Sequence, residues 1–244
     1  MNGSVCLLFS LVMLMITGNI AHADRNILWK KINEGCVPEY LNKDLYRPCR
    51  LVDMNKKIIV YKVDNDKYQY LLLPTDKITG VEDSDLLKID SPNYLYDAWF
   101  ARTFLTERLG KPLKERFISL ALNSTNARSQ DQLHVHISCL SKSANEILTK
   151  IPNSNLTEAW SKEKVTIPPY HYFYRKISLN ELEKNNLFKS ISDKVKQENG
   201  SLEYTGVGLV NINRDNFILL VGIGTSVFGV SAESIQDHEC GLAE

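Results

Sequence analysis

The chain has 244 residues, a formal net charge of +0 and 43% hydrophobic residues, which is ordinary globular composition with room for one large domain or two small ones. With no basic excess and no Lys/Arg run, binding to a nucleic-acid phosphate backbone is excluded as a main activity. No repeat of fixed period and no low-complexity tract divides the chain.

In chain order, residues 1–23 read as an export signal. The apolar run from Val5 to Ile16 is too short to span a bilayer, and Ala21-His22-Ala23 forms a small-x-small cleavage site after it. The leader has no Lys or Arg before the apolar run, so an uncleaved anchor is the alternative. Residues 24–244 then form the mature domain. Removing the leader removes Cys6 and leaves Cys36, Cys49, Cys139 and Cys240. An even count in an exported chain points to disulfides, with three possible connectivities. Cys36 and Cys49 flank a polar, Pro-containing segment and can close a local loop, which would leave Cys139 for Cys240. No CxxC pair suggests a zinc ribbon.

The segment up to about Leu51 reads as irregular. Ile58 to Val63 and Tyr68 to Leu73 are β-branched, aromatic and aliphatic around the turn residues Asp64-Asn65-Asp66-Lys67, which predicts a hairpin ended by Pro74. A helix follows, capped by Ser91 or Asn93 and stopped by Gly110 and Pro112, with Leu95, Trp99, Leu105 and Leu109 as its buried stripe. Phe117 to Ser124 and the stretch QDQLHVHISCL read as strands. PYHYFYRKI is a further strand, and Leu179 to Lys196 a helix capped by Ser178 or Asn180. EYTGVGLVNINRDNFILLVGI is a hairpin turning at Asn213 to Asn216, and SAESIQDHEC a short final helix. Strands in adjacent groups predict an α+β fold with antiparallel sheet and packed helices, the second half a loose repeat of the first.

The stretch RSQDQLHVHISCL concentrates the chemistry. Residues two apart on a strand share a face. Gln132, His134, His136 and Ser138 therefore share one face, and Leu133, Val135, Ile137 and Cys139 pack the other. Two adjacent imidazoles can bind a metal, or one can attack phosphorus while the other binds phosphate oxygens. A metal would need a third ligand, and no spacing singles out His171 or His238 for it.

QLHVHIS resembles the histidine-triad motif, in which histidines alternate with apolar residues along one strand. More closely, QYLLLPT, ITGVE, AWFAR, LALNS, RSQDQLHVHISC and SAESIQDHEC, spread over residues 36 to 240, resemble the bacterial CDP-diacylglycerol pyrophosphatases. The resemblance implies a histidine-triad-like fold and hydrolysis of CDP-diacylglycerol, presented at a membrane surface on the periplasmic side, to CMP and phosphatidate without metal or cofactor. It makes His134 the nucleophile, with Gln132 where a first histidine is usual. A register shifted by two would make His136 the nucleophile and put Ser138 in the third place. His136 would donate to a non-bridging oxygen, Ser129 would bind phosphate or protonate the leaving oxygen, and Asn123 would orient an imidazole through its carbonyl. Arg128 and Lys77 are candidate pyrophosphate contacts. His238 is a candidate phosphate or supporting group if Cys139–Cys240 pins the terminal helix beside the site. His171, between Tyr170 and Tyr172, reads as structural. Two other readings stay open. One is a triad hydrolase of a soluble nucleotide, which would lack an apolar groove. The other is a non-catalytic module binding a ligand or metal through His134 and His136.

Overall fold

A ten-stranded antiparallel sheet organises residues 24–43 and 45–243, the part of the chain that the computed structural model describes. The expected export signal lies outside the described residues. The strands are β1 (Leu51–Asp53), β2 (Ile58–Lys62), β3 (Tyr70–Pro74), β4 (Ile118–Leu122), β5 (Val135–Leu140), β6 (Val165–Ile167), β7 (Tyr170–Ser178), β8 (Thr205–Asn213), β9 (Asn216–Ile223) and β10 (Gln236–Asp237). Their lateral order is β1-β2-β3-β5-β4-β8-β9-β7-β6, and β10 pairs with the far end of β5. The helices are α1 (Ile27–Lys30), α2 (Val37–Lys43), α3 (Tyr94–Leu109), α4 (Lys142–Leu148), α5 (Leu179–Lys184) and α6 (Leu187–Gln197). The α+β expectation holds.

The topology also contains an internal repeat. The first half runs β2-β3, α3, β4-β5 with lateral order β2-β3-β5-β4. The second runs β6-β7, α5-α6, β8-β9 with lateral order β6-β7-β9-β8. The halves join where β4 pairs antiparallel with β8. The strand matching β5 is β9, NFILLVGI, which carries no histidine. The paired imidazoles therefore belong to the first half alone.

Helices α3, α5 and α6 cover one face of the sheet. Asn93 caps α3 by accepting from the Tyr96 amide at 3.2 Å, and Gly110, at φ 66°, ends it in the left-handed region that glycine adopts without strain. Leu95, Trp99 and Leu105 of α3 and Ile191 of α6 join Leu133, Val135, Ile137 and Cys139 in one buried cluster. Each aliphatic side chain taken fully out of water there contributes about 1.5–3 kcal/mol. A slip of β5 by one residue would exchange these for imidazoles, so the core sets which way the histidines face.

Three expected elements differ. The segment before Leu51 is helical: α1 continues through a π-helical turn, Lys31–Cys36, into α2. Leu28, Ile32 and Cys36 recur every four residues and are all buried. That spacing exceeds the α-helical 3.6, and a wider π turn keeps the three on one side. The helix expected over Leu179 to Lys196 is two, because the Asn186 side chain accepts from the Phe188 amide at 3.0 Å and starts α6 afresh. Ser178, rather than Asn180, caps α5. The expected final helix is one 3₁₀ turn, Ala232–Ile235, followed by β10. Disulfides join Cys36 to Cys49 and Cys139 to Cys240, the pairing expected from the spacing. Both fit an oxidising, exported setting. Among the described residues no helix is long and apolar enough to cross a membrane.

Candidate active site

Away from the large helices, the other face of the sheet carries two separate covers. The N-terminal helices pack on Ile59, Tyr61, Leu71 and Leu73 of β2 and β3. Residues Val230 to Ile235 and α4 pack on the second half and on Ala121 and Leu140 of β4 and β5. Beside the N-terminal cover lies a cleft of about 320 Å³. His134 and His136 line it, with Ser129 and Gln130 beside them, Tyr61 and Gln69 on the hairpin side, and Ile27, Leu28 and Lys31 on the N-terminal side.

His134 stands one residue before β5, and its Nδ1 lies 2.6 Å from the Gln132 carbonyl oxygen. A carbonyl only accepts, so Nδ1 carries the proton and Nε2 keeps its lone pair. Burial, together with the neighbouring His136, pushes the His134 imidazole down to about 3. It is neutral at any physiological pH. The His136 ring stands 4.8 Å away, centroid to centroid, inclined at 66°. His136 is fixed in mid-strand, opposite Leu71 of β3 and Ala121 of β4. Its Nε2 is buried without a hydrogen-bond partner. An unmet buried polar atom costs about 1–3 kcal/mol, a cost that a bound ligand oxygen would remove.

His136 Nδ1 lies 3.1 Å from Oε1 of Glu233, close but not aligned for a hydrogen bond. Glu233 also accepts from Gln69 Nε2 at 2.7 Å and Asn123 Nδ2 at 3.0 Å. Burial alone would raise this carboxyl, but His136, Gln69 and Asn123 outweigh it and hold it far below the usual carboxylate range. Asn123 Oδ1 accepts from the Glu233 amide at 3.1 Å and from Ser231 Oγ at 3.3 Å. The network continues outward. His238 Nε2 lies 3.0 Å from Gln69 Nε2 and 3.4 Å from Glu233 Oε1, and its Nδ1 is 2.7 Å from Asp66 Oδ2. The pairing of β10 with β5 and the Cys139–Cys240 bond hold this C-terminal segment beside the histidines.

The family profile of the CDP-diacylglycerol pyrophosphatases matches residues 23–244. The chain belongs to the CDP-diacylglycerol pyrophosphatase family. A probable CDP-diacylglycerol pyrophosphatase of Mycobacterium leprae is 39% identical over 230 residues, covering 94% of this chain and 85% of the relative. A CDP-diacylglycerol pyrophosphatase of Mycobacterium tuberculosis is 37% identical, covering 93% and 86%. One from Yersinia pestis is 32% identical, covering 96% and 93%.

Within this family member the residues singled out from the sequence separate into two groups. His134, His136 and Ser129 meet at the cleft, and Asn123 and His238 reach His136 through Glu233. The Asn123 carbonyl does not touch an imidazole, so its expected contact is replaced by one with Glu233. Gln132 turns its amide to the carbonyls of Pro74 and Asp76, at 3.2 and 2.9 Å, and it is its backbone that meets His134. Arg128 is locked to Glu82 at 2.6 and 2.9 Å and to Asp131 at 3.1 Å, in space that a Cβ at Gly80 would fill. Its donors are therefore committed away from the cleft. Lys77 is exposed, and Ser138 is fully buried with its hydroxyl 3.5 Å from the Asp237 carbonyl; neither lines the cleft. His171 pairs with Thr166 Oγ1 at 2.8 Å on the distant β6–β7 hairpin, in keeping with its structural reading. Glu233, Gln69, Asp66, Tyr61 and Lys31 were not legible as site residues. Glu233 sits in SAESIQDHEC and Gln69 opens QYLLLPT, two of the stretches that carry the family resemblance.

Proposed function

We propose that this protein hydrolyses CDP-diacylglycerol to CMP and phosphatidate through a cytidylyl group carried on His134 Nε2. The carrying observation is the neutral His134, whose tautomer is set by the Gln132 carbonyl, beside a buried His136 Nε2 that lacks a partner. His134 Nε2 attacks the phosphorus bearing cytidine, and the bond to the bridging oxygen breaks. Phosphatidate leaves with that electron pair, and water then displaces CMP from the histidine. Splitting one displacement into two lowers each barrier. His136, fixed in mid-strand beside Glu233, donates to a non-bridging oxygen where charge builds. Ser129 lines the same cleft, and its hydroxyl would protonate or bind the leaving oxygen. No step in this scheme draws on a cofactor. The shifted register, with His136 as nucleophile, is disfavoured because its Nε2 is more deeply enclosed than that of His134.

Glutamine at the first triad-like place does not remove the orienting contact, since the backbone of the same residue supplies it. The apolar wall of Ile27, Leu28, Val63 and Leu71 favours a lipid nucleotide over a soluble one. Against a metal-binding module, no third His, Cys, Asp or Glu among the described residues joins the pair in a metal-like group. The expected export signal and the disulfides support a periplasmic location, where the substrate would be taken from a membrane surface. The test is hydrolysis of CDP-diacylglycerol by purified protein in ¹⁸O-enriched water. The expected products are unlabelled phosphatidate and labelled CMP. Absence of turnover, or label in phosphatidate, would contradict the proposal.

A further inference from the structure

Attack at one end of a pyrophosphate leaves the other phosphate to accumulate charge as it departs. The histidine strand provides imidazoles for the attacked phosphorus but no cation for the departing group. Arg128, the basic residue nearest in sequence, is bound by Glu82 and Asp131. Among the residues lining the cleft, Lys31 is the sole lysine or arginine, and it comes from outside the sheet, on the π-helical turn.

The placement of Lys31 is built, not incidental. Ile32 and Cys36 bury the inner side of the turn, and the Cys36–Cys49 bond ties it to the segment before β1. The same N-terminal segment docks on the loop that leads to His134. Arg25 forks onto Asp131 at 2.7 and 2.8 Å, and the Leu28 amide donates to Gln130 Oε1 at 2.7 Å. Lys31 Nζ donates to Tyr61 Oη and to Asp64, each at 2.5 Å. An ammonium has three donors, so these two partners aim it while one N–H remains for a ligand in the cleft. Burial would lower the Lys31 amine, but its bonds to Asp64 and Tyr61 outweigh that and keep it charged.

Resting on the functional reading above, we infer that Lys31, aimed by Tyr61 and Asp64, binds the leaving phosphate of the substrate and stabilises the negative charge that grows on it. The bond that forms is His134 Nε2 to phosphorus, and the bond that breaks is phosphorus to the bridging oxygen. The electron pair stays on that oxygen, and the Lys31 ammonium lies against the phosphate that receives it. The N-terminal helical segment is thus a wall of the active site, and the local disulfide is part of the catalytic architecture.

The test compares two cytidylyl donors that share the attacked phosphorus and differ in the leaving group. One is dibutyryl CDP-diacylglycerol, and the other is the p-nitrophenyl ester of CMP, whose leaving group carries no phosphate. Lys31→Ala should lower kcat/KM on the first by about 10²-fold, the loss expected for one charge-stabilising donor, and leave the second nearly unchanged. Lys31→Arg should recover most of the loss. Independently of ester turnover, ³¹P titration should show dibutyryl phosphatidate binding weakened in Lys31→Ala and CMP binding preserved. Equal losses on both donors, or on both products, would overturn the assignment by placing Lys31 in folding or nucleotide binding. An unaltered rate on the anhydride would overturn it as well. A wild-type protein that turns over neither compound would instead defeat the functional reading on which the assignment rests.

Discussion

Replacing His134 should make the protein more acid-resistant while abolishing its activity. Folding pushes this imidazole from its ordinary value of 6.5 to about 3, through burial first and then through His136. Between those values the unfolded chain binds the proton and the folded chain does not, so stability rises with pH across the window and falls as pH drops below 6.5. Each pH unit within it corresponds to about 1.4 kcal/mol. At pH 5, His134 should therefore cost wild type about 2 kcal/mol relative to pH 7. A His134→Gln variant has no such group. Its stability difference from wild type, from guanidinium unfolding with disulfides intact, should shift by about 2 kcal/mol in the variant's favour between pH 7 and pH 5. Glu233 and the other titrating groups are common to both proteins and largely cancel in that difference. Unfolding slopes should match, so the midpoints carry the effect. A stability difference that does not vary with pH would refute the reasoning, because it would mean that His134 is protonated as readily folded as unfolded.

Glu233→Gln keeps the shape of the side chain but sets an amide against the amides of Gln69 and Asn123 and removes the charge facing His136. It should reduce turnover and cost about 1–3 kcal/mol at pH 7. The folded carboxyl is depressed, so its stabilisation is complete above its ordinary value of 4.5 and is lost as pH falls below it. Denaturation of the variant and wild type should accordingly converge in acid, and divergence would count against the network. Serine at both Cys139 and Cys240 opens a loop of sequence separation 101, against 13 for Cys36 and Cys49. Chain entropy gives losses of about 4.7 and 3 kcal/mol. At a temperature where both variants are folded, the Cys139/Cys240 variant should lose turnover because Glu233 and His238 ride on the freed segment. Unchanged kcat there would show that the bond does not position the site.

Alternation made the histidine strand legible. Leu133, Val135 and Ile137 are aliphatic and His134 and His136 between them polar, and the core enforces that pattern. The hairpins were legible for the same reason, although Asp66 draws the amides of Tyr68 and Gln69 into its turn and delays β3 to Tyr70. The disulfides followed from spacing. The N-terminal helices were hidden because Gly35 and Pro38 interrupt helical propensity, while burial of Leu28, Ile32 and Cys36 overrides it. The long helix was misjudged at Asn185-Asn186, where a side-chain cap competes with the backbone. Glu233 and Lys31 could not be found from spacing at all. Each lies about 100 residues from the histidine strand and reaches it only through tertiary contacts that no local pattern encodes. Arg128 shows the converse: it is adjacent in sequence yet bound by its near neighbour Asp131 and by Glu82, which folds in from elsewhere.

The central claim is that the nucleotide passes through His134. Dibutyryl CDP-diacylglycerol carrying ³²P at the cytidine phosphate should be mixed with the enzyme, quenched in alkali within the first turnover, and the peptides sequenced by mass spectrometry. The account predicts a cytidylyl group on His134 in the peptide containing LHVHIS, and none when His134→Ala is treated in the same way. Label on His136, on Ser129 or on no residue during active turnover would contradict it.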